Sequence, residues 1–151
     1  MEFEIEWLDP MLVVCRTKGV ASVEGYGALM HALISDPRFH PGVDLITDHT
    51  RVSISEITAT DIEKVAALRA RYLGALSGRS AGVVGPNSPL RYGFGRMFEA
   101  LVGSQTGAGV KVFETLGEAI AWLRESNPDS PEERAVHHHL GVSETQQLRG
   151  D

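Results

Sequence analysis

The chain has a single cysteine, Cys15, among its 151 residues. That excludes an intramolecular disulfide framework and a cysteine-rich metal site. Cys15 closes the apolar run Leu12-Val13-Val14-Cys15, where a buried, inert thiol is expected. Long hydrophobic runs are also missing. No stretch approaches the roughly 18 residues of a membrane span, so no membrane role is expected. The first residues alternate Glu2, Glu4 and Glu6 with apolar neighbours, the opposite of a secretory leader, which makes a cytoplasmic protein the expectation. Positive charge is scarce. Fourteen Lys and Arg against twenty Asp and Glu give a formal charge of −6, which argues against a broad nucleic-acid footprint. Arg69, Arg71, Arg79, Arg91 and Arg96 fall close together and read either as a local basic patch or as arginines scattered over helix faces. Neither a Gly-x-Gly-x-x-Gly directly after a strand nor a Lys-Ser/Thr phosphate loop is present, so no nucleotide cofactor is expected.

What is present is ordinary for a single soluble domain: 42% hydrophobic and 23% charged residues. Phe3, Ile5 and Trp7 alternate with the glutamates as a half-exposed strand. Asp9-Pro10 turns the chain into a second, more apolar strand over Met11 to Lys18. Ser22 caps a helix carrying Tyr26, Leu29, Met30, Leu33 and Ile34. Val43 to Arg51 is a third strand, apolar at its start and polar at its end. Thr58 or Thr60 caps a helix running through Ser77, with Ile62, Val65, Ala66, Leu68, Arg69, Tyr72, Leu73 and Leu76 in its period and Gly78 as its C-terminal cap. Ser80 to Gly85 is a short strand, and Ser88-Pro89 opens a helix through Val102. Val110 to Phe113 is the last strand, with Thr115 capping the last regular helix. The expected fold is α/β: a mainly parallel five-stranded sheet, an N-terminal hairpin followed by βα units, flanked by about four helices. It occupies residues 1–126. Residues 127–151 read as a polar appendage, with a short helix starting near Ser130.

The succession "VDLITDHTRVS", "ITATDIEKVAAL", "AGVVGPNSPLRYGFGRMFEAL" and "VKVFETLGEAIAWL" resembles small stand-alone bacterial proteins with a SpoIIAA-like fold. STAS domains (anti-sigma-factor antagonists) and lipid-carrying CRAL-TRIO domains share that fold. The resemblance covers roughly residues 1–126. It implies a phosphorylatable serine in the connection after the third strand, where Ser55 is the nearest candidate. Ser53-Ile54-Ser55-Glu56 lacks the glycine and the paired hydroxyls of the antagonist motif. The lipid-carrying branch encloses its cargo with additional elements for which 151 residues leave little room.

The residue types that carry chemistry converge on the end of the third strand. Neighbours on a strand point to opposite faces, so Asp48 and His49 do not form one device, whereas His49 and Arg51 share a face. Arg91 and Tyr92, at the start of the next-but-one helix, are placed to rim a crevice with them. The candidate ligand site is therefore His49, Arg51, Arg91 and Tyr92, beside a strand end held by local capping and one ion pair. His137-His138-His139 does not make a metal site, because consecutive helical residues splay by about 100°. Phe94 and Phe98 widen the apolar face around Tyr92 and Met97 beyond one inward stripe, as in a wedged helix, a dimer face or a greasy pocket. Gly93 and Gly95 interrupt this helix and fit close packing against a strand or a partner.

These readings point to a non-enzymatic binding or regulatory module of STAS-like type that docks a protein partner. The alternatives are a carrier of a small apolar or amphipathic ligand, held between the sheet and the Tyr92 to Val102 helix, and a hydrolase or isomerase using His49. A homodimer clasped by the apolar residues of the tail is also expected.

Overall fold

A computed structural model describes residues 1–103 and 109–125. The expected tail helix, the histidine triplet and the dimer clasp lie outside the described residues. The elements in chain order are β1 (Glu2–Asp9), β2 (Leu12–Val20), α1 (Val23–Ser35), β3 (Asp44–Ser53), α2 (Ala59–Ala70), β4 (Ser80–Val83), α3 (Pro89–Gly103), β5 (Val110–Phe113) and α4 (Leu116–Arg124). The strands form one sheet in the order β1-β2-β3-β4-β5, with β1 antiparallel to β2 and the remaining pairs parallel.

This order has a geometric consequence. Parallel strands added one after another through right-handed crossovers place every connecting helix on the same face. α1, α2 and α3 are those helices. The other face is left to α4, which follows the last strand. The core is accordingly split by the sheet. Val13, Cys15, Leu45, Leu29 and Leu33 pack on the three-helix side, with Phe3, Ile5 and Trp7 of β1 against them. Leu12, Val14, Ile46, Ala81 and Val83 pack with Ala119 and Leu123 on the α4 side. β3 supplies both layers, as a central parallel strand must. The glutamates of β1 remain exposed and pair with β2 through Glu2–Lys18 (3.3 Å) and Glu6–Arg16. Exposed pairs of this kind contribute little, at most about 1 kcal/mol each.

Caps form at the starts of α1, α2 and α4. Ser22 accepts from the Gly25 amide (3.0 Å), and Thr58 and Asp61 make a reciprocal capping box. Thr115 accepts from the Glu118 amide (3.2 Å). Arg79 ties the two layers together. Its amide donates to Asp44 Oδ1 (2.8 Å), while its guanidinium donates to the carbonyls of Trp122 and Leu123 and lies over the Trp122 ring. A cation there meets the carbonyls at the end of α4, where the helix dipole is negative.

Two elements depart from the expected boundaries. α2 ends at Ala70 rather than Ser77. From Arg71 onward the chain tightens into i→i−3 turns, with Arg71 N–H bonded to Leu68 O and Ala75 N–H to Tyr72 O. Gly78 is consequently not a helix cap. A Cβ there would sit 2.1 Å from the Val43 carbonyl oxygen, so the residue is glycine because two backbones touch. β3 is also longer than expected, running through Ser53. Gly95 meets the expectation of close packing: a Cβ there would lie 2.8 Å from Val112 on β5, whereas Gly93 has open space.

The two glycines flanking this connection give a direct comparison. Gly78→Ala forces the backbones apart and is expected to cost about 1–3 kcal/mol, the usual range for overpacking. Gly74→Ala meets nothing within 4 Å and is expected to change stability by less than about 0.5 kcal/mol. Urea unfolding followed by circular dichroism measures both; equal midpoints would contradict the contact.

Candidate functional site

β3 carries a bulge where its polar end begins. Arg16 of β2 lies opposite Asp48 and Lys18 opposite Arg51, so His49 and Thr50 together face the single residue Thr17. The Thr17 hydroxyl donates to the Asp48 carbonyl (2.9 Å) beside the irregularity. One extra residue reverses the alternation beyond it. Leu45, Thr47 and His49 point to the three-helix side before the bulge. Arg51 then falls on the face of Lys18, exposed, while Val52 turns inward and is fully buried.

The geometry therefore separates His49 from Arg51. His49 and Arg91 come together on one cavity of about 140 Å³ between the sheet and α1, α2 and α3. Arg51 is outside it, and Tyr92 is 43% exposed on the outer side of α3. Arg91 reaches back to donate to the Val52 carbonyl (2.9 Å), and its Nε–H has no acceptor. Asp48 is occupied locally, accepting from the Thr50 amide (2.9 Å) and hydroxyl (2.7 Å). Ser55 is exposed in the turn before α2, its hydroxyl 3.0 Å from that of Ser53.

The cavity floor is β-sheet: Cys15, Leu45, Thr47, Ser80, Gly82 and Val112. Its roof includes Phe94 and Phe98 of α3, the residues that made this helix too wide for a single stripe. Its one histidine is neutral. Burial, reinforced by the nearby Arg91 charge and only partly offset by Asp48, lowers the His49 pKa to about 4. His49 Nδ1 lies 2.9 Å from the Tyr26 hydroxyl, and burial pushes that phenol far above its ordinary value. Burial also raises the Cys15 thiol to about 12, so it is no nucleophile at neutral pH.

One polar residue of the cavity was not among the expected site residues. Arg69, on the inner face of α2, is only 3% exposed. Its Nη2 donates to the Ser80 hydroxyl (2.9 Å), and its Nε–H has no acceptor. No carboxylate among the described residues forms an ion pair with it. The signal was in the sequence: Arg69 stands in the apolar period of α2 with Ile62, Val65, Ala66 and Leu76, where a charge is out of place. Among the described residues no cluster of side chains suits a metal, and no helix is long and apolar enough to cross a membrane.

The histidine sets a pH dependence. Between pH 6.5 and about 4 the unfolded chain holds a proton at His49 that the folded chain refuses. Stability therefore falls as pH drops through that window, by at most about 3 kcal/mol. Asp36, held low mainly by its hydrogen bonds to Arg38, adds to the loss as pH nears its ordinary value of 3.8, and Asp44, raised by burial, acts in the opposite sense, so the comparison with a His49 variant isolates the histidine. The expected result is a slope of urea midpoint against pH between 6.5 and 4 that flattens in His49→Phe. Parallel profiles for the two proteins would contradict a buried neutral imidazole.

Comparison with known proteins gives no matching family model and no matching curated protein. Solved structures do match. An uncharacterised DUF3478-family protein with a SpoIIAA-like fold from Shewanella loihica PV-4 aligns with TM-score 0.54 and 18% identity, covering 81% of this chain and 92% of that one. The unphosphorylated anti-sigma factor antagonist SpoIIAA aligns with TM-score 0.46 and 21% identity over 83% of this chain and 100% of its own. The phosphorylated Bacillus cell fate determinant SpoIIAA gives TM-score 0.47 and 21% identity over 82% and 100%. With its five strands in sequential order and its helices divided three to one, this chain has the SpoIIAA-like fold.

Proposed function

We propose that this protein is a non-enzymatic binding module whose cavity holds a small amphipathic molecule. One observation carries the reading: an apolar cavity with a few polar side chains lies between the sheet and α3, where a close-packed domain has side chains. Pockets of this make-up are the usual form of small-molecule sites. Size sets the class. A cavity of about 150 Å³ accommodates benzene, so about 140 Å³ suits a molecule of that order rather than a long acyl chain.

Catalysis by His49 fits less well. The imidazole does lie beside a second titratable group, Tyr26. A general base works best with a pKa near the ambient pH, and both groups are displaced away from neutrality in the directions that leave them uncharged. They provide a hydrogen-bonding wall.

Regulation through Ser55 is a second reading, favoured by the exposure of its hydroxyl in the turn leading into α2. A phosphate near a helix N-terminus is electrostatically stabilised. Partner docking at that loop and occupancy of the cavity are compatible.

Gly82 provides the test. It lines the cavity, and an added Cβ meets only Val112, at an ordinary 3.9 Å. Gly82→Val therefore fills the cavity with a residue suited to a strand. The natural protein is expected to show a thermal shift with 1-hexanol that Gly82→Val lacks, while both give the same far-ultraviolet circular dichroism. No shift in the natural protein, or equal shifts in the two, would overturn the reading.

A further inference from the structure

Arg69 is a cation in an expensive place. It is 3% exposed, it faces an apolar cavity, and its one partner among the described residues is the neutral hydroxyl of Ser80. Taking a charge out of water costs several kcal/mol after relaxation and is offset only by good pairing. Arginine does not escape by losing its proton. A methionine or leucine at this position would continue the apolar face of α2 at no such cost. A guanidinium that is buried, incompletely bonded and open to a cavity is therefore a binding group awaiting an anion.

The other charged group on the cavity does not compete for the same role. Arg91 is half-buried and uses Nη2 on the Val52 carbonyl. Leu45 of β3 lies opposite Ser80, and Val52 is seven positions further along that strand. At about 3.3 Å per residue the two arginines are anchored roughly 20 Å apart along the strand direction. One small head group cannot bridge them. His49 belongs to the Arg91 end and is neutral, so it adds no positive charge at the Arg69 end. Apolar side chains, Phe94 and Phe98 among them, make up most of the remaining lining.

We propose that the cavity ligand is a small monocarboxylate with an apolar body, its carboxylate paired with the Arg69 guanidinium and the Ser80 hydroxyl and its body under Phe94 and Phe98. This rests on the reading of the cavity as a binding site and names the chemistry of what it takes. A carboxylate matches the planar donor edge of a guanidinium and accepts a hydroxyl proton with its remaining lone pairs. The volume limits the body to about six to eight carbon atoms, by the benzene comparison above.

Hexanoate and hexanamide test it, because they share one skeleton and differ in charge. Titration calorimetry at pH 7 is carried out on the natural protein, Arg69→Met, Arg69→Lys and Gly82→Val. Hexanoate is expected to bind the natural protein about tenfold more tightly than hexanamide, the usual difference between charged and neutral hydrogen bonding. The preference should fall to within about twofold in Arg69→Met, persist in part in Arg69→Lys, and be moot in Gly82→Val, which binds neither. Without ligand, Arg69→Met should melt at a higher temperature than the natural protein, since it removes a buried charge that no described carboxylate offsets. If both probes bind the natural protein equally and Gly82→Val abolishes both, the cavity reading stands and the anion is wrong. Should neither bind the natural protein, both fall. A tenfold preference that survives in Arg69→Met would also overturn the assignment, because the charge would then be met elsewhere. The comparison within the natural protein holds even if a variant does not fold.

Discussion

The pairing of β3 between β2 and β4 is the constraint on which the rest depends. Like β2 beside it, β3 sends side chains into both layers of the core, and its bulge decides which of its polar residues face inward. Without the extra residue opposite Thr17, the strand's alternation would continue unbroken past His49. Arg51 would then face the α2 and α3 side and Val52 the other. With it, Val52 is buried there instead, and its carbonyl holds Arg91 over the cavity. A single irregularity in one ladder thus exchanges a cation for a valine and fixes the start of α3.

Packing elsewhere is close enough to make the cavity informative. Gly78 lies against the Val43 backbone, and Gly95 brings α3 against Val112. Where helix and sheet can approach this nearly, space left between them is not a failure of side-chain size. The gap lies beside Gly82, Thr47 and Ser80, small residues on the floor, under Phe94 and Phe98, large ones on the roof. The same cavity collects three polar features that a mere packing defect has no reason to hold: an imidazole against a phenol, a half-satisfied Arg91, and Arg69 with no described carboxylate beside it. Domains keep costly groups of that kind where function requires them.

Most of the fold was legible because its signals are local. Period-two alternation marked β1, Ser22 and Thr115 marked helix starts, the start of α2 was narrowed to Thr58 or Thr60, and the alternation of strands and helices implied a parallel sheet. The end of α2 was not, because nothing in the apolar period up to Leu76 reveals that a backbone contact at Gly78 must be reached by tighter turns. The site was legible in part. Strand parity correctly parts Asp48 from His49, but the same rule wrongly joins Arg51 to His49, since a bulge is a two-strand property that no single strand displays. Arg69 was visible as an apolar-stripe position yet passed for a helix-face arginine. Only the structure shows that no described carboxylate stands opposite it.

Ligand binding depends on the space between α3 and the sheet. Crystals of the protein pressurised with xenon measure this most directly, because xenon enters apolar cavities near this size without demanding a polar partner. The account predicts a xenon site bounded by Phe94, Phe98 and Gly82, with Arg69 at its buried end. Phe94 and Phe98 packed down onto the sheet, with no xenon between them, would contradict it.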